Sequence, residues 1–128
     1  MSSVGEFSDM FRTLALGLAF AGLAGLAHAQ DIGGSYTVEG TNHNGSIYEG
    51  TAEITLTSDT TCEIHWVTGS TESHGICSRN DNAFAAAYVL GDSIGLVIYK
   101  VNADGSLEGL WTIQGEGGTG TERLTPAN

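Results

Sequence analysis

The feature that most constrains the fold is a series of short segments in which apolar and polar residues alternate. A period of two residues is typical of a β-strand with one face in the core, and no stretch after Ala29 follows the period of about 3.6 residues expected of a helix. The predicted strands are Ser35–Gly40, Ile47–Leu56, Cys62–Val67, Glu72–Ser78, Phe84–Leu90, Ile94–Val101, Leu107–Gln114 and Thr119–Thr125. The sequence therefore predicts an all-β domain.

The segments between these strands are short and rich in Gly, Asn, Asp and Ser. Two of them contain the pairs Asn44-Gly45 and Asp104-Gly105, which favour tight hairpin turns. Strands joined by short turns run antiparallel, so the chain is expected to form an up-and-down meander. A sheet of eight strands avoids exposed edges when it closes on itself. We predict a small closed antiparallel barrel, with a β-sandwich of the same strands as the alternative.

An apolar segment near the N-terminus predicts export. Leu14–Leu26 is apolar, and Ala27-His28-Ala29 follows it as a cleavage site of small residues, a combination typical of a secretory signal peptide. The apolar run is shorter than the about 20 residues that a transmembrane helix needs. The sequence therefore predicts a signal peptide in residues 1–29 and a periplasmic or secreted protein.

The first residues have the wrong charge for a signal peptide, because Glu6 and Asp9 make them negative. A start at Met10 would place a positive charge, Arg12, before the apolar run. We therefore expect translation to begin at Met10. The remaining residues, 30–128, suffice for one small domain.

The chain is acidic, with a formal net charge of −11 and only 4 Lys and Arg residues. Such a surface repels the phosphates of nucleic acids and the headgroups of anionic lipids. We therefore expect no nucleic-acid binding, and no membrane insertion after the signal peptide is removed.

Both cysteines and two histidines lie on one predicted hairpin, in the order Cys62, His65, His74, Cys77. If the hairpin turns at Gly69-Ser70, the two cysteines face each other and so do the two histidines. Neighbouring residues of a strand point to opposite faces, so the cysteines and the histidines cannot surround one zinc ion. An export signal, an even cysteine count and directly opposed positions instead predict a disulfide between Cys62 and Cys77.

The histidine face of this hairpin also carries Glu63 and Glu72. Such a group could hold a divalent ion, but solvated surface histidines are commoner, so we expect no metal site and no cofactor. The residues of such a surface site would be His65 and His74. No Ser or Thr lies in a recognisable nucleophile setting. We therefore predict no catalytic residues and expect the protein not to be an enzyme.

Two adjacent predicted strands, Phe84–Leu90 and Ile94–Val101, carry apolar residues on both faces. Strands of this kind are either buried on both sides or exposed for a partner. The large aromatic side chains suit the interior, which leaves the smaller ones outside. The predicted surface for a protein partner or for self-association consists of Ala85, Ala87, Val89, Val97 and Tyr99.

A small-ligand carrier of the lipocalin or avidin kind is the alternative function, because eight strands can just enclose one small ligand. The predicted interior, however, carries large rings from Tyr36, Tyr48, Trp66, Tyr88 and Trp111. We expect these rings to fill most of the interior.

Three segments carry a resemblance to a known family. They are GSYTVEGTNHNGSIYEGTAEITLTSDTTCEIHW (34–66), GICSRNDNAFAAAYVLGDSIGLVIYKV (75–101) and DGSLEGLWTIQGEGGTGTERLTP (104–126). The chain resembles a family of small exported proteobacterial proteins that are sometimes labelled fibronectin-binding. The resemblance covers nearly all of residues 30–128 and brings no catalytic motif. It implies an extracellular protein-binding role, so the favoured function is an exported, non-enzymatic protein-binding module.

Overall fold

The computed structural model of the protein describes residues 31–127, so the predicted signal peptide lies outside the described residues. The described chain forms strands β1 (Gly34–Thr41), β2 (Ile47–Leu56), β3 (Thr61–Thr68), β4 (Thr71–Asn80), β5 (Ala83–Leu90), β6 (Ser93–Val101), β7 (Leu107–Ile113) and β8 (Gly120–Pro126). Every predicted strand is present, and its ends lie within two residues of their predicted positions. No helix in this range is long and apolar enough to cross a membrane.

The strands form one closed antiparallel barrel in sequence order. β8 closes the sheet by pairing with β1, from the pair Tyr36 and Pro126 to the pair Thr41 and Thr121. Closure leaves no strand with an unpaired edge. The predicted up-and-down barrel is confirmed, and the β-sandwich alternative is wrong.

The turns define two ends of the barrel. One end contains the β2–β3, β4–β5 and β6–β7 turns together with the start of β1 and the end of β8, and we call it the closed end. The opposite end contains the β1–β2, β3–β4, β5–β6 and β7–β8 turns, and we call it the open end.

Apolar side chains fill the closed end. Phe84, Leu107 and Leu124 are completely buried there. Ile32, just before β1, is also buried, and its carbonyl accepts a hydrogen bond of 2.6 Å from the Tyr36 hydroxyl. Burial of one large apolar side chain stabilises a fold by about 1.5–3 kcal/mol. The closed end is therefore the packed core of the barrel.

Two turns at opposite ends share one geometry, as their Asn-Gly and Asp-Gly pairs predict. The Asn42 amide donates to the Ser46 carbonyl at 2.8 Å, and the Asn44 side-chain oxygen accepts from the Ser46 amide at 3.0 Å. The turn from Asn102 to Ser106 repeats both bonds, each at 2.9 Å. The fourth residue of each turn is a glycine with positive φ, 87° in the first turn and 88° in the second.

The predicted disulfide forms part of the core. β3 and β4 pair with Cys62 opposite Cys77 and His65 opposite His74, as predicted. The cysteines are bonded to each other, their Cα atoms are 4.9 Å apart, and both are buried. The histidines project from the outer face of the same hairpin. The cysteines and histidines therefore do not form one zinc site.

The structure places only part of the predicted partner surface on the outside of the barrel. Ala85, Ala87 and Val89 lie on the outside of the barrel, but Val97 and Tyr99 are each 1% exposed and point into the interior. Every residue from Ile94 to Val97 except Gly95 is a large apolar one, so alternation alone does not reveal which face of β6 is inside. The register decides it, because it places Ile98, Leu96 and Ile94 opposite the three outer residues of β5.

The correction enlarges the apolar surface of the barrel. Residues of β4 to β7 form what we call the apolar outer face: Ile76, Ala85, Ala87, Val89, Ile94, Leu96, Ile98 and Leu110. Its larger members are well exposed, from 45% for Leu96 to 70% for Ile76. Contiguous apolar surface of this kind is uncommon on a monomer and often marks an interaction site.

The disulfide should contribute measurably to stability. It links residues 15 apart in the sequence. A loop of this length restricts the unfolded chain by an amount worth roughly 3 kcal/mol. The double variant Cys62→Ser/Cys77→Ser should therefore lose about 3 kcal/mol in its free energy of unfolding, measured by urea denaturation. Wild-type protein in reducing agent should show the same loss, and unchanged stability in both samples would contradict the prediction.

Candidate functional site

The open end of the barrel holds a cavity of about 510 Å³. Asn42 and His43 from the β1–β2 turn and Glu116 from the β7–β8 turn lie at its mouth. Four large aromatic side chains, Tyr48, Trp66, Tyr88 and Trp111, line its walls together with smaller apolar and hydroxyl side chains, and Glu122 lies at its floor. Ligand pockets in proteins typically measure about 300–1,000 Å³. The cavity is therefore large enough for one small molecule.

Three of the cavity's aromatic rings lie directly across from a glycine on the neighbouring strand. The opposed pairs are Tyr48 with Gly40, Tyr88 with Gly95, and Trp111 with Gly120. A Cβ atom added at Gly95 would lie 2.2 Å from the Tyr88 ring, and one added at Gly40 or at Gly120 would lie 2.3 Å from the opposed ring. Any side chain larger than that of glycine at these three positions would therefore push the opposed ring out of its place.

These glycines explain why the interior is not filled. A ring that lies over the wall takes up less of the lumen than a ring that points towards the barrel axis. Trp66 completes the lining by packing against Tyr88, with ring centroids 5.1 Å apart. Tyr36 is the exception among the five predicted interior rings, because its hydroxyl bonds to Ile32 at the closed end. The expectation that the rings fill most of the interior is wrong for the open end.

Glu122 is a buried carboxylate at the floor of the cavity, with 9% of its surface exposed. It accepts a hydrogen bond of 2.6 Å from the Tyr48 hydroxyl and one of 2.9 Å from the Trp66 indole. The Tyr99 hydroxyl donates a third. These donors stand on β2, β3 and β6, so the carboxylate on β8 connects four strands through the interior.

Burial controls the protonation of this group. The pKa of Glu122 is raised above its ordinary value of 4.5, chiefly because burial removes the carboxylate from water, while its three hydrogen bonds act in the opposite direction. Burial and the nearby Glu122 charge also raise the pKa values of Tyr48 and Tyr99 well above 10. Both tyrosines therefore keep their protons at neutral pH and remain donors.

His43 supplies a second polar group, at the mouth of the cavity. Its ring packs edge-on against Trp111, with ring centroids 4.9 Å apart. Its Nε2 atom is buried and has no hydrogen-bond partner among the described residues. Buried polar atoms usually have a partner, so this nitrogen is available to a polar group of a ligand.

Sequence reasoning missed Glu122, although a signal for it was present. The buried positions of β8 are Gly120, Glu122 and Leu124, so the glutamate alternates in phase with a core leucine. A charged residue in phase with the core must find partners, because burying an unpaired charge is costly. The position of Glu122 two residues before Leu124, on the same face of β8, therefore indicated an internal carboxylate.

The structure distributes the predicted site residues over three places. Val97 and Tyr99, predicted for a partner surface, belong to the interior, where Val97 lines the cavity and Tyr99 donates to Glu122. The disulfide lies towards the closed end. His65 and His74 lie on the outer wall, together with Glu72.

Comparisons with known proteins support the architecture. No family model matches the sequence, and no curated protein matches it. A solved structure of a redesigned β-barrel is similar, with a TM-score of 0.67, 13% identity and coverage of 76% of this chain and 92% of that chain. Another redesigned barrel, mFAP1 bound to DFHBI, has a TM-score of 0.66 at 18% identity and covers 77% of this chain and 97% of its own.

A de novo designed fluorescence-activating barrel is also similar, with a TM-score of 0.61, 17% identity and coverage of 74% of this chain and 93% of that chain. At these identities the likeness establishes the fold alone. The resemblance to an exported proteobacterial family stays a prediction.

The raised pKa of Glu122 predicts a pH dependence of stability. The folded protein holds the proton of this carboxyl more tightly than the unfolded chain does. The contribution of Glu122 to the free energy of unfolding is therefore fully present below pH 4.5 and is lost as pH rises through the raised pKa. The difference in free energy of unfolding between wild type and the Glu122→Gln variant should therefore change in favour of the variant as pH rises above 4.5, measured by urea unfolding at a series of pH values. A difference that stays constant, or that changes in favour of wild type as pH rises, would contradict this assignment.

Proposed function

We propose that the protein is a non-enzymatic carrier that binds a small, planar, neutral or cationic aromatic molecule in the cavity at the open end. The observation that carries this proposal is an open lumen with aromatic walls around one buried carboxylate. Pockets for small molecules typically combine apolar walls with a few polar groups that fix the orientation of the ligand.

The walls favour a flat ligand. Tyr48, Trp66, Tyr88 and Trp111 surround the lumen, and their rings offer faces and edges for stacking. Aromatic pairs in offset-stacked or edge-to-face arrangements gain about 0.5–1.5 kcal/mol beyond the burial of their surface. Three of these rings lie against the glycines opposite them, which have no side chain to push the rings into the lumen. A planar aromatic molecule therefore meets preformed partners.

The charge favours a neutral or cationic ligand over an anionic one. Glu122 lies at the cavity floor with three donors but no cation among its hydrogen-bond partners. A positive group of the ligand would offset this buried negative charge and would also interact favourably with the ring faces. The chain's net charge of −11 further disfavours anions. The unpaired Nε2 of His43 offers a second polar contact at the mouth.

Two further observations agree with this proposal. The similar barrel mFAP1 is bound to DFHBI, so a barrel of this architecture can bind a ligand. The disulfide between Cys62 and Cys77 is compatible with an oxidising compartment, as expected of an exported protein.

A second candidate is the exported protein-binding module that the sequence favoured. The apolar outer face supports it, because Ile76, Ile94 and Ile98 are each more than half exposed there. Flat apolar surface suits another protein better than it suits a small molecule. This candidate uses the outside of the barrel, so the two functions can be separated by mutation.

Both tryptophans of the chain line the cavity, so their fluorescence reports directly on its occupancy. We expect thioflavin T, a planar cationic dye, to quench tryptophan emission and to become fluorescent itself, with a dissociation constant in the micromolar range. Anilinonaphthalene sulfonate, which is anionic, should bind more weakly. Glu122→Gln should reduce this preference for the cation, because it removes the negative charge at the floor.

Matched variants locate the bound dye. Ser73 is buried and lines the cavity, whereas Ser78 lies on the outside of the same strand. Ser73→Phe should fill the lumen and abolish binding, and Ser78→Phe should leave binding unchanged, with circular dichroism confirming that both variants fold. Binding that survives Ser73→Phe but is lost in Leu96→Glu would place the dye on the apolar outer face and overturn the carrier proposal.

A further inference from the structure

The outer wall of the β3–β4 hairpin brings together three side chains with metal-binding atoms: His65, Glu72 and His74. Their ligand atoms all lie within 4.8 Å of one another. His65 Nε2 and Glu72 Oε2 are 2.5 Å apart, and the two imidazole rings stack with centroids 4.2 Å apart and planes inclined by 10°. The cluster is independent of the cavity, because none of these residues lines it.

We propose that this cluster is a binding site for a zinc ion. Two imidazoles and one carboxylate are a ligand set that zinc takes in proteins, with a fourth position open to water or to another ligand. Imidazole nitrogen selects zinc and neighbouring transition metals over calcium and magnesium, which prefer all-oxygen sites. The sequence places all three residues on one face of the hairpin but predicts no metal site, and the short separations of their ligand atoms are what the structure adds.

Zinc binding requires the two stacked imidazoles to rotate and the ligand atoms to move closer together, because the lone pairs of nearly parallel rings do not converge on one point. Tetrahedral zinc with bonds of about 2.0–2.1 Å holds its ligand atoms roughly 3.3 Å apart. The widest separation in the cluster, at most 4.8 Å, must therefore shrink by about 1.5 Å or less. His74 and Glu72 are exposed, so their side chains can rotate without disturbing the core.

The hairpin holds the ligands in register. His65 and His74 are directly opposed, and Glu72 stands two residues before His74 on the same face of β4. Three pairs further along, the disulfide between Cys62 and Cys77 fixes the same two strands to each other. A site whose backbone is already ordered loses little conformational entropy when the metal binds.

The electrostatic surroundings favour a cation. Glu53 is opposite His65 on β2, and it lines with Glu63 an open groove of about 740 Å³ that also contains both histidines. Among the described residues, no Lys or Arg lines this groove. Glu63 itself lies outside the ligand cluster. The negative charge of Glu53 and Glu63 raises the local concentration of divalent cations. Neither carboxylate belongs to the ligand cluster, so the fourth position on the metal stays open.

Isothermal titration calorimetry of the folded protein with zinc chloride at slightly alkaline pH tests the proposal. We expect one zinc ion per chain with micromolar affinity, and no binding of calcium or magnesium at the same concentrations. Zinc should also raise the melting temperature, as any ligand of the folded state does. His74→Ala and Glu72→Gln should each weaken zinc binding by about tenfold or more.

Two control variants make the result decisive. His43→Ala removes the histidine at the cavity mouth, and Glu63→Gln removes a carboxylate that flanks the cluster on β3. Both should keep micromolar zinc affinity. Absence of zinc binding in wild type would overturn the proposal, as would binding that His74→Ala and Glu72→Gln leave intact or that His43→Ala abolishes. The apo forms of the His74 and Glu72 variants should melt close to wild type, because both side chains are exposed.

Discussion

The interaction on which the interior depends is the set of hydrogen bonds to the Glu122 carboxylate. Hydroxyl groups of Tyr48 and Tyr99 and the indole of Trp66 all donate to it. Without these donors, burial of a carboxylate would cost far more than the fold of a small domain can tolerate. With them, the carboxylate orients the Tyr48 and Trp66 side chains in the cavity wall. It connects β8 to β2, β3 and β6, none of which is a neighbour of β8 in the sheet. It also marks the boundary between the packed closed end and the open end.

The open end depends on a second constraint, which is the pairing of aromatic rings with glycines. Gly40, Gly95 and Gly120 each lie under a ring from the neighbouring strand, and a side chain there would displace that ring into the lumen. The same chain uses other glycines for a different purpose, in turns with positive φ such as Gly45 and Gly105. Glycines of the described residues thus serve both the turns and the shape of the cavity.

Much of the fold follows from local rules that a sequence displays. Alternation and turn residues predict the strands, and the turn at Gly69-Ser70 fixes the register that joins Cys62 to Cys77. The face of β6 was misassigned because both of its sides are apolar. The turn between β5 and β6 would have resolved it, since it pairs Leu90 with Ser93 and hence Ala87 with Leu96.

The cavity is harder to predict, because it depends on where rings point and not on which strands carry them. Five inward rings by themselves suggest a filled barrel. The register changes this expectation, because it places a glycine directly opposite each of Tyr48, Tyr88 and Trp111. The inward direction of Glu122 could be predicted from the alternation along β8. Its three hydrogen-bond donors could not, because they come from strands far away in the sequence. The cluster of His65, Glu72 and His74 likewise needed the side-chain positions.

We propose that the lumen of the open end takes a planar ligand between its aromatic walls. A crystal structure of the protein grown with thioflavin T would show whether it does. We expect density for the dye inside the open end, in contact with Trp66, Tyr88 or Trp111 and with its positive ring directed towards Glu122. Density for the dye on the apolar outer face, or a lumen filled by the aromatic rings themselves, would contradict it.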